Sequence, residues 1–195
     1  HHRVVAVLLA DPKVDATRTV PWNPPTALDV ALRLGDPRTL EAFTKAGHMD
    51  ASVWPRLFAD GTHARRSVLR YCVERLGVDP QALVSSTETA LMRACTNYDV
   101  DAVSTLLAYR VSVHPRDGEG HTAYGRLLRY LSGHGRPATV GVPTVDVQLQ
   151  LLEGLLVAGS DATIPPDVAP NVAEVAERAQ TRLRRRFGRA KRRRE

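Results

Sequence analysis

Residues 86–124 read STETALMRACTNYDVDAVSTLLAYRVSVHPRDGEGHTAY, with Thr89-Ala90-Leu91 near the start and Thr122-Ala123-Tyr124 33 residues later. The stretch is either one helix pair with a chance echo or one unit of a stack. Leu91, Ala94 and Cys95 share a helical stripe after Thr89. Asp99 is placed to cap a second helix, whose stripe continues through Val100, Val103, Leu106 and Leu107. His114-Pro115-Arg116-Asp117-Gly118-Glu119-Gly120 then forms a turn cluster, with Pro fixing φ and Gly supplying positive φ. Neither helix is long enough to stand alone. Each buries one face and needs a neighbouring pair to cover the other.

The rest of the chain fits the same frame. TALDVALRLGD (26–36) aligns with TALMRACTNYD (89–99), and Thr26 lies 63 residues before Thr89, three short of two periods. Between them ASVWPRLFADG (51–61) is predicted to be a first helix. HARRSVLRYCVERLGVDP (63–80) supplies the second helix, ending at Gly77, 33 residues before Arg110. VVAVLLADPKVDAT (4–17) reads as a second helix and its turn without a first helix, so the array is expected to begin mid-unit, as a fragment or an atypical cap. The expected units are a partial one at 1–22, then 23–51, 52–85, 86–118 and 119–163. The last has a first helix with Leu127, Leu128 and Leu131, an insertion over 132–146, and a second helix resuming at Asp146 or Val147 and ending at Gly159. Such insertions emerge as loops on one face. Residues 164–195 form a capping helix and a basic tail. The helix is expected from an Asn171 N-cap through Val172, Val175, Ala176 and Ala179, with disorder beyond Gly188 unless something acidic holds the segment.

Composition agrees with one helical array. Hydrophobic residues make up 43% of the 195 and aromatics only 5%, so the core must be built from Leu, Val and Ala. No apolar run reaches membrane-span length, and no signal peptide is visible. Cys72 and Cys95 sit among apolar neighbours and read as buried thiols rather than a disulfide scaffold or a redox or metal pair. Ten of the 27 Lys/Arg and one of the 21 Asp/Glu lie between Arg178 and Glu195, leaving 17 basic against 20 acidic residues, a net −3, for residues 1–177. The body is mildly acidic and the tail strongly basic.

These segments resemble the ankyrin repeat, on Thr26-Ala27-Leu28, Thr89-Ala90-Leu91 and Gly120-His121-Thr122-Ala123 for its opening. Leu106-Leu107 and Leu155-Leu156 match its leucine pair, and Gly77-Val78-Asp79 and Gly159-Ser160-Asp161 its closing turn. Ala stands where the family has Pro at 27, 90 and 123, Tyr124 replaces Leu, and Arg110 stands where Gly is usual. The resemblance covers about Val4 to Thr163. It implies an all-α, ankyrin-type helical solenoid with short hairpin-like turns, the Thr residues capping first helices. It also implies protein partners bound by the turn tips and the concave helix face.

The tips are then about Lys13–Asn23, Gly47–Ala51, Gln81–Thr87 and His114–Glu119. The partner-binding set is Trp22, Asp29, Arg33, Arg93, Thr96, Asn97, Arg116, Asp117 and Glu119. Trp22, beside Pro24-Pro25 and outside any helical stripe, is an interface anchor or a local staple over the hairpin. Trp54 is expected in the core. His114, His121 and His134 show no metal-ligand spacing, DGEG (117–120) lacks the Lys and strand of a phosphate loop, and no elbow frames a nucleophile. No catalytic residue, metal or cofactor is therefore assigned.

The basic tail comprises Arg182, Arg184, Arg185, Arg186, Arg189, Lys191, Arg192, Arg193 and Arg194. It reads as a nuclear-import or targeting segment, as a non-specific contact to nucleic-acid phosphates, or as a dock for an acidic protein or anionic membrane. The expected function is a non-enzymatic protein–protein interaction module or scaffold, intracellular in nucleus or cytoplasm. The rival is a structural subunit of a nucleic-acid-containing complex. An enzyme would need a polar pocket with perturbed acids near the 132–146 loop.

Overall fold

A computed structural model describes residues 2–11, 13, 14, 16, 26–59, 64–135 and 141–192, with backbone alone at 188–192. The described chain is all-α. Its helices are α1 (His2–Leu9), α2 (Ala27–Leu34), α3 (Pro37–Lys45), α4 (Arg66–Arg75), α5 (Ala90–Thr96), α6 (Val100–Ala108), α7 (Ala123–Leu131), α8 (Val145–Val157) and α9 (Pro170–Arg192). Two 3-10 turns, Ala51–Val53 and Pro55–Phe58, lie between α3 and α4.

Local chemistry sets the boundaries. Thr26, Thr89 and Thr122 each accept a hydrogen bond from the backbone N–H three residues on, at 3.1, 3.3 and 3.3 Å. Asp36 and Asp99 do the same for α3 and α6 at 3.1 and 3.0 Å. These caps satisfy donors that a short helix would otherwise leave orphaned. After α4, α6 and α8 the chain turns through positive φ at Gly77 (67°), Arg110 (56°) and Gly159 (95°). Arg110 thus adopts the glycine conformation at the position where glycine was expected.

The helices pack in two rows. In one, α1 contacts α3, α3 contacts α4, α4 contacts α6 and α6 contacts α8. In the other, the second 3-10 turn contacts α5, α5 contacts α7 and α7 contacts α9. The pairs α2–α3, α5–α6, α7–α8 and α8–α9 join the rows. Leu28, Leu91 and Tyr124 take corresponding core sites on α2, α5 and α7, so the aromatic ring is accommodated where the other units place leucine. Leu40, Leu69, Leu106 and Leu152 are fully buried along the other row. Burying one such side chain contributes about 1.5–3 kcal/mol. On α1, Val4, Val7 and Leu8 remain exposed.

Three expectations are corrected. The predicted first helix over 51–61 is not an α-helix in its described part, 51–59. Pro55 lacks an N–H and its ring clashes with the carbonyl four residues back, so the segment breaks into two 3-10 turns. They are still core: Trp54 is buried and packs edge-on to Phe58 at 5.1 Å. The last helix starts at Pro170 rather than after an Asn171 cap, because proline's missing N–H costs nothing at the first helical position. It also runs through Gly188 to Arg192 instead of ending in disorder. The second helix of the fourth unit begins at Val145, capped by Thr144.

Candidate functional site

Polar side chains converge where the turn before α7 meets the turn before α5. Each turn is closed by a backbone hydrogen bond across four residues: Val84 N–H to the Glu88 carbonyl at 2.8 Å and Asp117 N–H to the His121 carbonyl at 2.9 Å. Both ends of the bond recur at a 33-residue offset. Adjacent tips also touch: Ser112 N–H donates to the Gln81 side chain at 3.2 Å, and Gly118 faces Thr87.

Asp117 does not face solvent as expected. Its carboxylate accepts from the Glu119 and His121 N–H groups at 3.0 and 2.9 Å and from Arg126 Nη1 at 3.0 Å. Burial pushes its pKa up, but these donors outweigh that and hold it below the ordinary carboxylate value. The side chain shapes the turn. Arg116 and Glu119 do point outward, and Arg116 Nη1 donates to the Gly120 carbonyl at 2.7 Å.

The expected exposed set on α5 is corrected too. Thr96 and Asn97 are buried. Thr96 Oγ1 donates to the Arg93 carbonyl at 3.0 Å, and Asn97 Nδ2 reaches back to the Ala59 carbonyl at 3.1 Å, bonding one unit to the preceding one. Arg93 is mostly covered and donates to Glu88. The other oxygen of Glu88 accepts from Arg126, which also lies 5.6 Å over the Tyr130 ring. Arg93, Glu88, Arg126 and Asp117 therefore form one charged chain between unit 86–118 and unit 119–163. Glu88 and Arg126 were not anticipated. The available signal was a charge, Arg126, set between Tyr124 and the Leu127-Leu128 pair on α7.

Asp29 belongs to the capping box of α2, exchanging hydrogen bonds with Thr26, and pairs with Arg56 at 2.5 Å. Arg33 is exposed on α2 near exposed Val30 and Leu34. Trp22 lies outside the described residues, as do Arg193 and Arg194.

Beside the 132–135 turn is a polar recess of about 270 Å³, lined by Asp117, Glu119, His121, Arg126, Arg129 and Tyr130 among others. Arg126 is paired with Asp117 and Glu88, and Arg129 with Asp167. Among the described residues no three His, Cys, Asp or Glu side chains form a metal-holding group. Cys72 and Cys95 are buried, and burial raises the Cys72 pKa to about 12.

The basic segment is helical as far as Arg192. Val172, Val175, Ala176, Ala179 and Leu183 fix α9 against the body, and Gln180 Nε2 donates to the Ala162 carbonyl at 2.8 Å. Arg182 meets Glu153 at 3.5 Å, and from there Arg184, Arg185, Arg186 and Phe187 are all exposed. No described helix is long and apolar enough to cross a membrane. No protein-family model, curated protein or solved structure matches this chain.

Proposed function

We propose that the chain is a non-enzymatic interaction module of the ankyrin type, a short helical solenoid that holds a protein partner on its first-helix row and turn tips. Its basic C-terminal helix serves as a second, electrostatic contact. The observation that carries this reading is the packing of helix pairs in two rows, with a threonine cap opening units 23–51, 86–118 and 119–163 and a left-handed exit closing units 52–85, 86–118 and 119–163. Stacked pairs of this kind give an extended surface whose tips are free to vary without disturbing the core. The partner face is Val30, Arg33 and Leu34 on α2 with the outward tip residues Leu83, Arg116 and Glu119. Apolar side chains beside a charge fit the core and rim of a protein interface.

The test is affinity purification with wild type and a V30E/R33E/L34E variant. Capture of the array's partners should fall while the circular dichroism spectrum and melting temperature stay at wild-type values. Undiminished capture would remove α2 from the interface. The tip residues Arg116 and Glu119, changed together, provide an independent second variant.

A further inference from the structure

We propose that the exposed end of α9, from Arg182 onward, is a helical docking element for the phosphate-lined groove of a nucleic-acid duplex. This rests on the reading of the basic helix as a second contact surface and is independent of what the array binds.

The geometry is specific. α9 is clamped to the body as far as Leu183 and continues without a break to Arg192. At about 1.5 Å per residue, the nine residues after Leu183 extend about 13 Å as a rod about 10–12 Å across. The major groove of B-form DNA is about 12 Å wide and admits a helix. At about 100° per residue, Arg184, Arg185 and Arg186 cover about 200° of the rod, and Arg182 falls within the same arc. A cation on this many sides matches a groove with phosphates along both walls. It fits poorly on a bilayer, where an interfacial helix needs a broad apolar face. Only Leu183, already buried, and Phe187 continue the apolar stripe.

Residue type points the same way. Nine of the ten basic residues from Arg178 to Arg194 are arginine, and no acid lies among them. Guanidinium forks match phosphate oxygens in pairs, and arginine binds phosphate by geometry as well as charge. Phe187 is the only aromatic side chain in that segment, so no stacking platform for single strands accompanies the charge. The net −3 of residues 1–177 keeps a polyanion off the array and favours contact by the projecting end alone.

The test is fluorescence anisotropy of the full chain with labelled duplex DNA, duplex RNA and single strands of equal length, across a salt series. Five phosphate contacts give a slope of about −4.5 in log affinity against log salt, a loss of about 500-fold between 50 and 200 mM. R184Q/R185Q/R186Q should bring the slope to about −2, while capture of the array's protein partners is unchanged. G188P keeps every charge but breaks the rod, and duplex affinity should fall about tenfold. G188A should bind at least as well as wild type.

Duplex DNA should bind more tightly than duplex RNA, whose deep, narrow major groove does not admit the rod, and RNA binding as tight as DNA binding would overturn the groove geometry. Single-strand binding as tight as duplex binding would overturn the proposal. So would full affinity in G188P, or binding to phosphatidylserine vesicles with none to duplex at 50 mM salt. Loss of protein-partner capture in V30E/R33E/L34E with duplex binding intact would bear only on the array.

Discussion

Replacing Glu88 by alanine tests whether the charged chain between units 86–118 and 119–163 is structural. One carboxylate accepts from both Arg93 and Arg126, and the three side chains retain only 11%, 21% and 16% of their exposure. A hydrogen bond between charged groups is worth about 1.5–3 kcal/mol. The two bonds do not simply add, because Arg126 keeps Asp117 after the change. Removing one member of a fully buried pair costs about 3–5 kcal/mol, and the residual exposure here reduces that. The expected loss for E88A is about 3 kcal/mol. For a chain of this size each kcal/mol moves the melting temperature by about 2–4 °C, so the transition should fall by about 6–12 °C. Thermal and urea denaturation measure it. Hydrogen exchange should show α7 amides opening first, since Arg126 is the bond lost there. A matched control is E41A, which removes the exposed Glu41–Lys45 pair and should leave the transition near wild type. A fall under about 2 °C in E88A, no larger than in E41A, would refute a structural role for the two Glu88 bonds.

Two further outcomes follow from single residues. Arg110 holds φ at 56°, a conformation costing a non-glycine residue about 1–2 kcal/mol. R110G should therefore stabilise the chain by about 0.5–1 kcal/mol after the extra chain entropy of glycine. A lower urea midpoint than wild type would show that the Arg110 side chain contributes more than its backbone costs. Asp117 has a depressed pKa in the folded state. Its contribution is complete above the unfolded value of about 3.9 and is lost as pH falls through the lower folded value. D117N should flatten the fall in stability below about pH 4, and an acid limb identical to wild type would rule out that linkage.

Most of the helical frame was legible because it rests on short-range signals. Thr26, Thr89 and Thr122 mark starts through a cap hydrogen bond to the backbone three residues on, and Gly77 and Gly159 mark exits through φ alone. Ranges failed where a local rule outranked the period. Pro55 broke a predicted helix, and Pro170 started one earlier than Asn171 would have. The continuation of α9 beyond Gly188 ran against the weight given to a glycine and a block of like charge. A helix already anchored by Val172 to Leu183 needs no new nucleus to grow.

The candidate site was less legible because a stripe on one helix does not say what lies across from it. Thr96 and Asn97 sit on the polar side of α5 by sequence, yet Asn97 bonds the carbonyl of Ala59 in the preceding unit. Asp117 reads as a loop acid, yet its partners are two turn amides and Arg126. In a stack, each unit's polar residues are divided between its neighbours and solvent, and the neighbour's geometry decides which. The same logic explains α9. Up to Leu183 its apolar stripe has α7 and α8 to cover it, whereas Phe187, one turn further along that stripe, has 56% of its surface exposed. The projecting end is where the stacking contacts stop and the charge becomes continuous. A contact made there can be altered without altering the array, and the two binding tests can therefore give different answers.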